Sequence, residues 1–319
     1  MSDEALRAAY RTLEQEAGDY ADSARALAVM RRRRAAVAVA AVAAVLAVVG
    51  GLWFVRPASP EVSVAAQPSG VGRSIHTACM YGCPTYLTLT DGRQVLLGEQ
   101  TAPPPGNLTL SPDGRWLGMP TPSGFQLKDL SGSTVYHGPQ AGQGEAVTPW
   151  AWSADSRTLL LAGHASGKVG AYFLFDLTTG RVTRPEVPSG FEPVGLARGE
   201  LVLFAESQYG KRATRVELTV GGRPVTLDAG DAELVTEDGG PTIEVYGDRI
   251  YALAFPSNTM IEFGLDGKEL TRYRLAGQPL GPSEDGYVVS TAGKVSAGGK
   301  ELFELPQDSL IVVPGMARP

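Results

Sequence analysis

The sequence predicts an all-β domain, a six-bladed β-propeller, carried behind one membrane-spanning helix. Three observations predict it. Short alternating runs separated by glycine turns recur between residues 74 and 315. No stretch of that region keeps a helical apolar period. Ahead of it lies an unbroken apolar run, Ala35–Val55.

The chain has 319 residues, with Gly 39 and Pro 23, a composition that suits many tight turns. Its net charge of −6 carries no nucleic-acid footprint. It has only two cysteines, so the fold must rest on a packed core and not on a disulfide scaffold.

Residues 1–34 hold seven Arg and six Asp or Glu. Ser2 is placed to cap a helix, with Asp3 and Glu4 in its first turn. Leu6, Tyr10, Leu13, Ala17, Tyr20, Ala24 and Leu27 then fall at alternating spacings of four and three, one apolar stripe in heptad register. Gly18 interrupts it. A stripe on so short a tail needs a partner, a second copy or a membrane surface, and a frayed helix without one is the alternative.

Ala35–Val55 would rise about 31 Å as a helix, matching the hydrocarbon thickness of a bilayer. Arg31–Arg34 abut one end and only Arg56 stands near the other, which puts the N-terminus in the cytoplasm. Trp53 and Phe54 sit where the far interface would be. A cleaved signal peptide ending at Val64-Ala65-Ala66 is the rival reading, and it needs an unusually long charged leader. Ala36, Ala40 and Ala44 make a small-residue ridge, which Ala-rich composition explains equally well. Residues 56–73, rich in Pro, Ser, Ala and Gly, read as an extended spacer.

In residues 74–315 two kinds of hairpin alternate. Turns of the first kind centre on Gly92, Gly132, Gly180, Gly222, Gly267 and Gly299. Turns of the second kind fall between them: Ser111–Leu117, Ser153–Arg157, Ala197–Glu200, Tyr246–Arg249 and Ser283–Tyr287. Asp-Gly and Gly-Gly accept the positive φ of tight hairpins. Two hairpins per roughly 40–45 residues is one four-stranded propeller blade. The first kind counts six and the second only five. The missing hairpin therefore straddles the termini, and 309–313 is expected to pair beside Ser74–Thr77, closing the ring and hiding its edges. A pair of β-sandwiches and a seven-bladed ring are the alternative folds.

Ser111-Pro112-Asp113-Gly114-Arg115-Trp116-Leu117 resembles the repeat of TolB-like and WD40-like propellers, and Ser153, Asp155 and Arg157 keep its key positions. The tail resembles N-terminal segments of membrane proteins encoded beside actinobacterial extracytoplasmic sigma factors. The residues concerned are Leu6-Arg7-Ala8-Ala9 and Ala24–Leu27, leading into Arg31–Arg34. That likeness implies a cytosolic sigma-factor partner, although the zinc-binding His and Cys-x-x-Cys pattern is absent.

Cys79 and Cys83 bracket three residues, and a structural disulfide is the expectation. Free thiols and a redox-responsive bridge stay open. His76, His137 and His164 are read as lone surface histidines in loops. Asp91, Asp113, Asp155 and Asp266 are read as turn residues that satisfy backbone donors, not as cation ligands. Trp116, Trp150 and Trp152 are read as core, and for Tyr81, Tyr209 and Tyr246, near turns, a binding face stays open without composition deciding it. No nucleophile elbow, zincin or P-loop motif is present, so no catalytic residue, metal or cofactor is expected. The function expected is membrane-anchored binding or sensing, with a docking scaffold as the second reading and an exported enzyme as the third.

Overall fold

The computed structural model describes residues 70–316 apart from 79–82, 99–106, 122–123, 141–144, 166–167, 236–241 and 306–309. The N-terminal tail, the apolar run and most of the spacer lie outside the described residues. Among the described residues no helix is long and apolar enough to cross a membrane.

Among the described residues, twenty-four strands form six four-stranded antiparallel sheets. Blade 1 takes β1 (Gly72–Thr77), β2 (Thr85–Leu89) and β3 (Gln94–Gly98). Blade 2 is β4 (Thr109–Leu110), β5 (Trp116–Thr121), β6 (Gly124–Asp129) and β7 (Val135–Gln140). Blade 3 is β8 (Glu145–Trp152), β9 (Thr158–Ala165), β10 (Lys168–Asp176) and β11 (Arg181–Thr183). Blade 4 is β12 (Phe191–Ala197), β13 (Glu200–Ala205), β14 (Arg215–Val220) and β15 (Arg223–Asp228). Blade 5 is β16 (Ile243–Tyr246), β17 (Arg249–Ala254), β18 (Thr259–Gly264) and β19 (Glu269–Arg274). Blade 6 is β20 (Gln278–Ser283), β21 (Gly286–Thr291), β22 (Lys294–Ala297) and β23 (Lys300–Glu304). The last strand, β24 (Leu310–Val312), then becomes the innermost strand of blade 1.

The seam pairs Ile75 with Val312, His76 with Ile311 and Thr77 with Leu310. This is the closure expected from the missing hairpin. Arg73 reinforces it from the other side, donating to the Leu302 carbonyl at 2.7 Å with its guanidinium 4.8 Å above the Phe303 ring. β1 starts two residues ahead of the expected domain edge. The Gly70 N–H already donates to the Leu130 carbonyl at 3.0 Å and that of Gly72 to Gly114 at 2.7 Å, so blade 2 fixes this stretch before the ladder begins.

The turns joining first to second and third to fourth strands lie on one face, and those joining second to third strands, such as Ala292-Gly293 in blade 6, lie on the other. At Gly114, φ is +68° and an added Cβ would sit 2.2 Å from the Gly72 carbonyl oxygen, so only glycine lets these two blades approach. Inner strands are buried on both faces, as in the unbroken run Leu159–Ala162. Hydrophobic clusters fill the spaces between blades: Ile75, Leu87, Leu110 and Leu117 between blades 1 and 2, Trp116, Phe125, Trp152 and Phe175 between blades 2 and 3, and Val202, Phe204, Ile250 and Phe263 between blades 4 and 5.

The three histidines depart from expectation: all lie on strands. His76 is in β1, buried and stacked on Tyr86 with ring centroids 5.8 Å apart. Burial lowers its pKa. His164 in β9 shares a 2.9 Å hydrogen bond with the Thr148 hydroxyl, and His137 is exposed on β7. The alternating strand pattern places them, and loop reasoning missed this because it weighed residue type alone.

Candidate functional site

The repeat turns have a common local chemistry. The Ser111 hydroxyl donates to Asp113, the N–H of Trp116 donates to Ser111, and the N–H of Arg115 donates to Asp113 at 3.0 Å. Ser153, Asp155, Arg157 and Thr158 repeat the pattern. Asp91 and Asp266 likewise accept from the N–H two residues on. The Asp113 N–H also donates to the Ser156 hydroxyl at 2.9 Å, which joins the two sharp motif copies across blades. Arg115 reaches the buried Asp129 at 2.7 Å and stands 5.4 Å from the Trp116 ring. Burial pushes the Asp129 carboxyl up, but Arg115 and the Ser131 hydroxyl and N–H outweigh it and hold the group below the usual carboxylate range. These residues organise blades, and nothing in them converges on a ligand.

Cys83 is disulfide-bonded. Cys79, Tyr81 and the tail residues Leu6, Tyr10, Leu13, Tyr20 and Leu27 lie outside the described residues. Trp116 and Trp152 are buried, whereas Trp150 is only partly so. Tyr209 is exposed on blade 4, where its hydroxyl donates to Glu192.

The central channel is occupied by the chain itself. After β24, Pro314 bridges Leu110 in parallel fashion and the Gly315 N–H donates to the Leu110 carbonyl at 2.9 Å. Gly315 and Met316 then line a small pocket with Trp152, Val194, Val245, Tyr246 and Pro282, drawn from the innermost strands of four other blades.

The candidate site lies between blades 5 and 6. Its spacer carries three tyrosines: Tyr251, Tyr273 and Tyr287 pack with Leu253, Met260, Leu275 and Val289. Tyr251 and Tyr287 are 5.7 Å apart, centroid to centroid. Two carboxylates enter this wall. Buried Glu262 accepts from the Tyr273 hydroxyl at 3.0 Å and from Arg249 Nη1 at 3.1 Å. Glu244 accepts from the Tyr287 hydroxyl at 3.0 Å. Burial, and then the nearby carboxylates, raise the Tyr273 and Tyr287 hydroxyls well above the ordinary phenol value. Both therefore remain donors throughout the physiological range. Burying a carboxylate is costly unless it is paired, and Glu262 has both a cation and a hydroxyl.

Beside this wall opens a groove of about 600 Å³. Its lining includes Arg249, Glu262, Thr271, Tyr273, Arg274 and Tyr287. The blade 6 turns carrying Glu284–Asp285 and Gly298–Gly299 complete it. That volume falls within the range of small-molecule and peptide clefts. Chemically the groove offers hydroxyl donors, carboxylate acceptors, guanidinium groups and an apolar floor, with no nucleophile–base pair. Among the described residues no group of three or more His, Cys, Asp or Glu is placed to hold a metal ion. Sequence reading named none of Arg249, Glu262, Tyr273, Tyr287 and Glu244 as site residues. The signal was there: Glu262 is a lone acid inside Thr-Met-Ile-Glu-Phe-Gly, an otherwise apolar strand.

Six radial four-stranded sheets closed by a two-terminus seam make this chain a six-bladed β-propeller. Among solved structures it is similar to TolB from Acinetobacter baumannii, at 14% identity over 78% of this chain and 68% of that one, with a TM-score of 0.42. It is also similar to an uncharacterized protein of Listeria monocytogenes EGD-e, at 10% identity over 81% and 87% of the two chains, TM-score 0.40. A third similar structure is a chain of a nidogen/laminin complex, at 14% identity over 65% and 78%, TM-score 0.35. No family model and no curated protein matches the chain.

Proposed function

We propose that this is a non-enzymatic, membrane-anchored binding and sensing protein. Ala35–Val55 spans the membrane, the propeller is extracytoplasmic, and the tail contacts a cytosolic partner. The observation that carries the binding role is the groove between blades 5 and 6, walled by tyrosines and by the buried Glu262 paired with a half-exposed Arg249. Folds of this kind place recognition surfaces on rigid blades, and the costly burial of Glu262 favours function over packing economy. The tail stripe Leu6, Tyr10, Leu13, Tyr20 and Leu27 supports the cytosolic half of the reading, and its resemblance points to a sigma factor held in an anti-sigma-like manner.

The test is capture from cell lysate by the full chain, compared with a form carrying Leu6→Asp, Leu13→Asp and Leu27→Asp. Enrichment of one cytosolic protein by the native tail alone supports the reading. Identical captures refute it and favour the second reading, an extracytoplasmic assembly platform with an inert tail. Protease added outside intact cells should remove the propeller and spare the tail.

A further inference from the structure

We propose that the ring opens in acid between its last blade and its first, blade 1 parting from blade 6 while it stays on blade 2. The opening depends neither on the groove between blades 5 and 6 nor on the tail.

Blade 1 has two unlike faces. Directly paired residues of neighbouring strands share a face, so Ile75, Leu87 and Val312 lie on one side, within the cluster that joins blade 2. Ser74 with its partner Thr88, and His76 with its partners Tyr86 and Ile311, lie on the other side, which meets blade 6. Among the described residues three buried side-chain polar atoms lack a hydrogen-bond partner: Ser74 Oγ, His76 Nδ1 and Thr88 Oγ1. All three belong to this one face. A buried polar atom left unpaired carries its full desolvation cost, and parting the blades here gives it water.

The bonds at the two faces point the same way. Gly70 and Gly72 donate to the carbonyls of Leu130 and Gly114, so main-chain bonds hold blade 1 to blade 2. Towards blade 6 the described bond comes from a side chain, Arg73 on the Leu302 carbonyl. A groove of about 380 Å³ already enters this interface from the turn face, with Arg73, Thr90, Val288, Leu302 and Phe303 in its lining.

His76 supplies the trigger. It is 5% exposed, stacked on Tyr86 and paired with Ile311. From blade 6 the interface receives Leu280, Val288, Val295 and Ala297, with Leu302 and Phe303 at its outer end, all apolar. The charged group on this side is Arg73, itself a cation. No carboxylate among the described residues offsets a charge on His76, and burial depresses its pKa. A proton turns both ring nitrogens into donors and gives Nδ1 no acceptor. The closed ring therefore binds that proton less well than the open one, and opening gains as pH falls below about 6.5.

The experiment uses the full chain in detergent. Ser74→Cys probes the seam, Thr88→Cys is a second probe on the same face, and Ala252→Cys, between blades 4 and 5, is the control. Thiol labelling is followed without reductant, and each rate is divided by that of the same chain in denaturant at the same pH. Unfolding midpoints at pH 7 verify that each variant is folded. From pH 7 to pH 5 the seam probes are expected to label several-fold faster. The ceiling is about twenty-five-fold, set by one group that titrates near 6.5 when released. Ala252→Cys should not change, and adding His76→Gln should abolish the step at the seam. The loss traced to Asp129 lies below about pH 4, outside this window. A flat response at the seam probes, an equal rise at Ala252→Cys, or a step that survives His76→Gln overturns the proposal.

Discussion

The Trp152 indole N–H donates to the Thr109 hydroxyl at 2.6 Å, and that hydroxyl in turn donates to the Met316 carbonyl at 2.7 Å. One buried threonine thus ties blade 3, blade 2 and the segment that fills the channel. Thr109→Val keeps the shape but strands a buried donor and a buried acceptor, so a loss of about 2–3 kcal/mol is expected. Trp152→Phe removes one donor and opens space beside it. Urea unfolding of both single variants and the pair should show clear non-additivity, since both act on one chain of bonds. Additive losses would mean the relay carries no coupling.

Glycine positions divide by what surrounds them. Gly92 has φ +85° with open space around it, whereas Gly114 has φ +68° against the Gly72 backbone. Gly92→Ala should cost about 1 kcal/mol from backbone strain alone. Gly114→Ala must also separate two blades and should cost about 3 kcal/mol or more. Thermal midpoints compare the two, and equal shifts would contradict the close approach.

Acid sensitivity should trace to Asp129. Its carboxyl titrates below the unfolded value in the folded ring, so the folded state binds the proton less well. The resulting stability is present above about pH 4 and is lost as pH falls through the folded pKa. Asp129→Asn should lower stability at neutral pH and flatten the acid limb. An unchanged slope between pH 4 and pH 2 would assign the acid loss elsewhere.

The seam makes its own prediction. A chain ending at Leu305 lacks β24 and the channel segment, leaving the inner edge of β1 open. It should be readily digested by protease, and a peptide of residues 308–316 added in trans should restore resistance by strand addition. His76 lies in that seam with a depressed pKa, so its contribution is complete above about pH 6.5 and fades as pH falls below it. His76→Leu should remove this step from a plot of midpoint against pH.

The ring was legible in the sequence because its turns are local. Gly92, Gly114, Gly180, Gly267 and their neighbours each fix a hairpin within a few residues, and counting them exposed the seam at Ile75 and Val312. The groove was not legible in the same way. Glu262, Tyr273 and Arg249 come from three strands of blade 5, while Tyr287 and Glu284 come from blade 6, and only packing brings them together. Asp129 as the partner of Arg115 was hidden for the same reason: fourteen residues and one strand pairing separate them.

The order of the strands also sets an order of assembly. Blades 2 to 6 are each continuous in the chain, so each has all its strands as soon as its own stretch emerges during synthesis. Blade 1 begins first and finishes last, because its innermost strand follows all the others in the chain. Until β24 has emerged, the ring is therefore an open arc with two unsatisfied edges. A product that stops before β24 remains one, which gives quality control a simple mark by which to tell closed rings from open ones.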